Sequence, residues 1–233
     1  MIITEIFHSL QGEGRLTGTP SIFIRLGGCN LACAFCDTPF ASRDPEGELM
    51  SVSEVLEQVK AIKAGNPDTT HVVLTGGEPM LDKDFEILAG SLARLKYHIT
   101  VETNGTVYRR VKCDLMSISP KLASSTPPVG EVGALAAEHE STRFQPKVIE
   151  RLIDKYDYQL KFVVDSDADC DEVKQFLDAR PSIHRDRVHL MSQGKTAAEL
   201  EKKKEWILHQ CEDLKVKYCP RRHIEWFGSR RGV

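Results

Sequence analysis

The chain has 233 residues and a mass of 26.1 kDa, with 41% hydrophobic and 28% charged residues, a balance that excludes wholesale disorder and suits one domain spanning 1–233. Lys and Arg number 31 against 34 Asp and Glu, a net charge of −3, the wrong sign for a protein that lives on phosphate backbones. No apolar run approaches the ~20 residues of a membrane span, and Met1-Ile2-Ile3-Thr4-Glu5 lacks signal-peptide character, so a cytoplasmic protein that binds neither nucleic acid nor membrane is expected.

In chain order, Ser21–Leu26 is apolar and partly alternating, a strand running into Gly27-Gly28. Ser51 and Glu54 form a capping-box pattern, and Val52, Val55, Leu56, Val59 and Ile62 follow at helical spacing, so a helix is expected up to Gly65-Asn66-Pro67. A strand at His71–Gly76, a helix at Asp82–Leu95 and a strand at Ile99–Thr103 continue the rhythm. Another strand follows at Leu115–Ser119. Residues 121–145 show no period and read as a long irregular segment, of the kind that is often functional. A helix near 146–156, a strand at Tyr158–Val164, a helix near 169–179 and a strand at Val188–Met191 come next. A helix from Thr196 to Cys211 and a strand at Leu214–Tyr218 complete the series. Alternating strands and helices imply an α/β fold with a parallel sheet, whose ligands gather at the C-terminal strand ends. About six parallel strands before the final segment are too few for a closed eight-stranded barrel, so a partial, open parallel β/α barrel is expected.

Seven cysteines are an odd number on a long chain without a signal peptide, which favours metal binding or catalysis over a disulfide framework. Three of them, Cys29, Cys33 and Cys36, fall as C-x3-C-x2-C in the loop after the first of these strands. An iron–sulfur cluster usually takes four thiolates, so three leave one iron open to an outside ligand. A structural zinc, which wants a fourth ligand, and three unrelated buried cysteines are the plainer alternatives. Thr75-Gly76-Gly77-Glu78-Pro79 ends the next strand, where its glycines permit close backbone approach to a ligand, although alone it is an ordinary turn. Leu10-Gln11-Gly12-Glu13-Gly14 has closely spaced glycines and two polar side chains suited to a small heterocycle, or is simply a loop between strands.

The cysteine spacing, with Phe35 before the last cysteine, resembles the radical S-adenosylmethionine superfamily. Further motifs are Phe23-Ile24-Arg25, Cys36-Asp37-Thr38, Glu102-Thr103-Asn104-Gly105-Thr106, Ser119-Pro120-Lys121 and Trp226–Val233. Together they make the chain similar, from residue 5 to the last, to the 7-carboxy-7-deazaguanine synthase family. That resemblance implies a lyase that contracts 6-carboxy-5,6,7,8-tetrahydropterin to 7-carboxy-7-deazaguanine with loss of ammonia, on the way to queuosine and other 7-deazapurines. A 5'-deoxyadenosyl radical, not a side chain, would take the hydrogen.

By the same resemblance Cys29, Cys33 and Cys36 would hold a 4Fe-4S cluster and Thr38 a Mg²⁺ ion. Phe35, Cys36, Asp37, Gly77, Ser119, Pro120 and Lys121 would hold S-adenosylmethionine, together with Ser192, Gln193, Gly194 and Lys195. Leu10, Gln11, Gly12 and Glu13 would grip the pterin, Arg25 its carboxylate, and Thr75, His223 and the terminal Val233 would add contacts. Arg25 is otherwise a surface strand residue, His223 a strand-end histidine, and Ser192–Lys195 a plain turn. An electron donor such as a flavodoxin or ferredoxin and a homodimer are implied as partners. Cys113, Cys170, Cys211 and Cys219 match no cluster pattern. Another radical enzyme, such as a glycyl-radical activase, and a structural metal-binding module are the competing readings.

Overall fold

The computed structural model describes residues 1–228 and 230–233, those at 129–132 without their side chains. Its strands are β1 (Ile2–Leu10), β2 (Pro20–Leu26), β3 (Glu48–Leu49), β4 (His71–Gly76), β5 (His98–Thr103), β6 (Leu115–Ile118), β7 (Tyr158–Val164), β8 (Val188–Ser192) and β9 (Lys217–Tyr218). They form one sheet in the order β3-β1-β2-β4-β5-β6-β7-β8-β9. From β2 onward every pairing is parallel. The expected six parallel strands before the final segment are therefore β2, β4, β5, β6, β7 and β8, in an open parallel sheet. At the other edge β1 and β3 run antiparallel, which the simple βα rhythm did not anticipate.

The helices are α1 (Val52–Gly65), α2 (Phe85–Arg94), α3 (Val129–Thr142), α4 (Pro146–Lys155), α5 (Asp167–Asp178), α6 (Ala197–Lys202), α7 (Lys204–Leu214) and α8 (Arg222–Phe227). Ser51 and Glu54 close the reciprocal box that starts α1. At α6 Thr196 accepts from the Glu199 N–H, while the Glu199 carboxylate accepts from Lys195 N.

Four expectations need correction. Residues 121–145 are not irregular, since a short 3-10 turn (Ala123–Ser125) leads into α3. Gly130, Gly133 and a run of alanines dilute the apolar period there, and helices of this kind draw stability from tertiary contacts more than from propensity. The helix expected from Asp82 starts at Phe85, because Pro79–Leu81 forms a separate 3-10 turn. The Thr196–Cys211 helix is two helices broken at Lys203, whose ammonium reaches back to the Gln193 carbonyl at 3.0 Å. The last strand is only two residues long because α7 continues to Leu214 and ends at Lys215 in the left-handed conformation, φ 56°.

Side chains alternate across a strand, and here the alternation separates core from cavity. Ile22, Ile24 and Leu26 of β2, Val72 and Leu74 of β4, Ile99 and Val101 of β5, and Leu160, Phe162 and Val164 of β7 join the hydrophobic core with Phe85, Leu88, Leu92 and Val55 of the helices. Intervening residues Arg25, Thr75, Glu102, Ser117, Lys161 and Met191 face the concave side and line a cavity. Gln159 of β7 is 2% exposed on that inner side. It accepts from Arg15 N at 2.9 Å and donates to Ser117 Oγ at 2.9 Å, tying the loop after β1 to the sheet. Replacing it by Leu removes both bonds and leaves the buried Ser117 hydroxyl without this partner, and a buried unpaired group costs about 1–3 kcal/mol. Gln159→Leu should lower the urea midpoint accordingly; an unchanged midpoint would show that the loop is held by other contacts.

Candidate active site

One cavity of about 530 Å³ opens at the C-terminal ends of the parallel strands, where ligands gather in folds of this kind. Its walls carry Leu10, Gln11, Gly12, Glu13, Arg25, Thr75, His223 and Val233. Cys29, Cys33, Cys36, Phe35, Asp37, Thr38, Gly77, Ser119, Lys121, Gln193, Gly194 and Lys195 also line it. Of the residues nominated from sequence only Pro120 and Ser192 do not line it; Ser192 is the buried last residue of β8, and its hydroxyl finds no partner among the described residues. His223 sits on α8, not at a strand end.

The cysteine loop is braced from three sides. The Gly28 carbonyl accepts from Glu78 N at 2.8 Å, and Gly28 N donates to the Ala41 carbonyl at 3.0 Å. Asn104 Nδ2 donates to Asn30 Oδ1 at 3.2 Å, and Asn30 donates to Thr106 Oγ1 at 2.8 Å. From α3, His139 Nδ1 accepts from Ala32 N at 3.0 Å while its other ring nitrogen meets Ser125 Oγ at 3.0 Å. That makes α3 a support for the cysteines, a role that no spacing in the sequence signals.

Glu78 is buried, and its two oxygens accept from Asn104 N, Met80 N and the Thr103 hydroxyl. Burial still pushes its pKa up to about 7, against these hydrogen bonds and the pull of Lys121. The carboxylate is thus a structural tie between the ends of β4 and β5, and is not among the cavity-lining residues.

The donor set suits an iron–sulfur cluster. Among the described residues no three His, Cys, Asp or Glu side chains gather as a cage for a single metal ion. A cluster distributes its thiolates over separate irons, so three spread cysteines suit it better than a zinc ion. In the metal-free protein burial raises the Cys29 pKa and pushes Cys33 up to about 11, opposed at Cys33 by Lys121, so metal binding must release protons. Gly77 preserves the close approach needed beside this loop: a Cβ there would lie 2.3 Å from the Gly28 carbonyl oxygen and 2.7 Å from that of Ala41.

The floor of the cavity is a chain of alternating charges. Arg221 is 7% exposed; it donates to the Gly194 carbonyl at 2.9 Å and to Glu13 Oε1 at 3.3 Å, and also pairs with Asp37. Lys161 lies 2.8 Å from Glu13 Oε2 and 3.5 Å from Glu102 Oε1. Glu102 also accepts from Gln11 Nε2 at 3.3 Å and from Thr75 Oγ1 at 2.9 Å. Burial works to raise the Glu13 pKa, yet Lys161, Arg221 and His223 outweigh it and hold the carboxyl well below its usual range. Burial likewise works to lower the Lys161 pKa, and Glu13 and Glu102 drive it far upward instead. Arg25 Nε donates to Glu5 Oε1 at 2.6 Å, which orients the guanidinium across the β1–β2 pair. Lys161 and Arg221 escaped notice in the sequence, although the alternation along Tyr158–Val164 does put Gln159 and Lys161 on the face opposite its apolar residues.

The C-terminal segment closes the cavity. Arg222 N donates to the Gly12 carbonyl at 3.0 Å and Gly14 N to Cys219 Sγ at 3.0 Å. Arg231 stacks 3.5 Å over the Phe40 ring and pairs with Glu46 at 3.0 Å, bringing Val233 to the cavity wall.

Residues 23–122 match the radical SAM superfamily model. A 7-carboxy-7-deazaguanine synthase from Halobacterium salinarum is 44% identical, covering 95% of this chain and 88% of that protein. One from Rhodopirellula baltica is 42% identical over 100% of this chain and 89% of its own length. Among solved structures, QueE from Escherichia coli superimposes with a TM-score of 0.65 at 24% identity, covering 95% and 94% of the two chains.

If Gly77 reserves backbone space beside the cysteine loop, Gly77→Ala must displace that loop. Lower cluster occupancy after anaerobic reconstitution and weaker S-adenosylmethionine binding by equilibrium dialysis are expected; wild-type values for both would contradict the cradle.

Proposed function

The chain belongs to the 7-carboxy-7-deazaguanine synthase family of the radical S-adenosylmethionine superfamily, and from that premise we propose that it converts 6-carboxy-5,6,7,8-tetrahydropterin to 7-carboxy-7-deazaguanine and ammonia. The full-length relatives set aside both the glycyl-radical activase and the structural metal module. The observation that carries the proposal is the single cavity in which the cysteine loop, the Leu10–Glu13 loop, Arg25 and the C-terminal segment meet. When bound, a 4Fe-4S cluster on Cys29, Cys33 and Cys36 with S-adenosylmethionine supplies a 5'-deoxyadenosyl radical. Phe35, Cys36, Asp37, Gly77, Ser119, Lys121 and Gln193–Lys195 form the cofactor wall in this reading, with Pro120 and Ser192 behind it, and Thr38 offers one hydroxyl to Mg²⁺, an ion that keeps most of its waters.

The remaining residues do the work of recognition. Arg25 presents its terminal amino groups to the substrate carboxylate, for which a planar guanidinium is well matched. Gln11, Glu13, Glu102 and Thr75 supply acceptors and donors for the pyrimidine edge, and His223 and Val233, which line the same cavity, close over the ligand. Substrate and product differ by one ammonia, so the reaction is an elimination with no net change of redox state. A flavodoxin or ferredoxin supplies the reducing electron, and a cytoplasmic homodimer completes the proposal. No helix among the described residues is long and apolar enough to cross a membrane.

The test is anaerobic reconstitution with iron and sulfide, followed by reduction in the presence of S-adenosylmethionine, Mg²⁺ and the carboxypterin. 7-Carboxy-7-deazaguanine is the expected product, and cofactor cleavage without it would contradict the substrate assignment. Arg25→Ala should raise KM by about 10- to 100-fold, the range for losing a charge-assisted pair, with cluster content unchanged. A wild-type KM would remove Arg25 from the carboxylate site.

A further inference from the structure

Lys161 is buried on the inner face of β7, its side chain 4% exposed, between two carboxylates that line the cavity. No resemblance assigned it a role. Its ammonium reaches Glu13 and Glu102 and touches neither the cysteine loop nor the tail through any recorded bond. A buried cation paired twice is costly to keep and of little value to stability alone, since an apolar replacement of a complete buried ion group is often neutral.

We propose that Lys161 is a positioning residue for substrate recognition, holding Glu13 and Glu102 ionised and aimed so that they accept hydrogen bonds from the N–H groups of the bound heterocycle. The inference rests on the pterin-binding reading above and deepens it. Glu13 has a second cation in Arg221, whereas Lys161 is the cation recorded against Glu102 among the described residues. Without Lys161, the partly exposed Glu102 would stand near the Glu13 carboxylate with no other cation recorded against it among the described residues, and a like charge close by disfavours its ionised form. A protonated Glu102 turns one acceptor into a donor that opposes an N–H.

The charged and titratable groups facing this pair all come from neighbouring elements. They are Arg221 and Cys219 from the C-terminal segment, His223 from α8, and His189 from β8. Burial pushes the Cys219 thiol up to about 12 and His189 down to about 4, and lowers His223. Cys219 and His189 are therefore uncharged across neutral pH and compensate for nothing when Lys161 is removed. Gln11 and Thr75 contribute neutral donors only.

The experiment measures anaerobic binding of 6-carboxytetrahydropterin to the reconstituted holoenzyme between pH 6 and 9, for wild type, Lys161→Met and Lys161→Arg. In Lys161→Met binding should weaken about 10- to 100-fold near pH 7, the effect of leaving about 1–10% of the protein competent. That loss should shrink progressively toward pH 9, relative to wild type, and Lys161→Arg should restore most of the affinity. A purely structural Lys161 predicts no such recovery with pH. Should Lys161→Met not fold, the double variant Lys161→Met/Glu102→Gln removes the buried charges together, and it should bind weakly with no recovery at high pH. Wild-type affinity, or an equal loss at every pH, in Lys161→Met overturns the proposal, as does wild-type affinity in the double variant. If the wild type itself fails to bind the pterin, it is the functional reading that falls.

Discussion

Five charges alternate through the floor of the cavity, from Asp37 through Arg221, Glu13 and Lys161 to Glu102, and the arrangement of the site depends on this one chain of ion pairs. Each member comes from a different segment: the cysteine loop, the C-terminal segment, the loop after β1, the middle of β7 and the end of β5. Arg221, Glu13 and Lys161 each pair with two neighbours, whereas the end members Asp37 and Glu102 each have one cation recorded against them among the described residues. Breaking a buried pair is destabilising even where the intact set adds little to stability. The geometry of the cavity and the completeness of the chain are therefore the same property.

The open sheet explains why such a chain can exist. A closed eight-stranded barrel fills its interior with layers of apolar side chains. Here the sheet stops at the two-residue β9 on one edge and at antiparallel β1 and β3 on the other, leaving the concave face to polar groups. The chain ends of the fold, the loop after β1 and the segment after β9, are joined by Arg222 N to Gly12 O and by Gly14 N to Cys219. A Cβ at Gly12 would lie 2.8 Å from His223 N, so these two segments pack backbone to backbone where a side chain would separate them. On the opposite wall the cysteine loop leans on α3 and on the ends of β4 and β5. The cysteine loop and the Leu10–Glu13 loop thus line one cavity, linked at the bottom by Arg221 through Asp37 and Glu13.

Periodicity and motif spacing made most of this legible. The βα rhythm located all six central parallel strands, because two-faced burial leaves a clear apolar signature in β2, β4 and β7. The cysteine spacing and the glycines before Glu78 marked one wall, since both express local backbone requirements. Less local features stayed hidden. Lys161 is a single charged residue inside an apolar run, and its partners Glu13 and Glu102 lie 148 and 59 positions away, so nothing in its neighbourhood announces a pair. Arg221 stands beside Arg222 in what looks like a solvated basic terminus, yet one is buried and the other exposed. The α3 helix, rich in Gly and Ala, has its role only through His139 touching Ala32 and Ser125 across the fold.

The central claim is that one cavity receives cofactor and pterin together, on opposite walls. It is tested most directly by titrating 6-carboxytetrahydropterin into the unreduced, cluster-loaded protein, with and without saturating S-adenosylmethionine. Saturable binding of one pterin per chain, undiminished by the cofactor, is the predicted result. Displacement of the pterin by S-adenosylmethionine, or the absence of saturable binding, would contradict it.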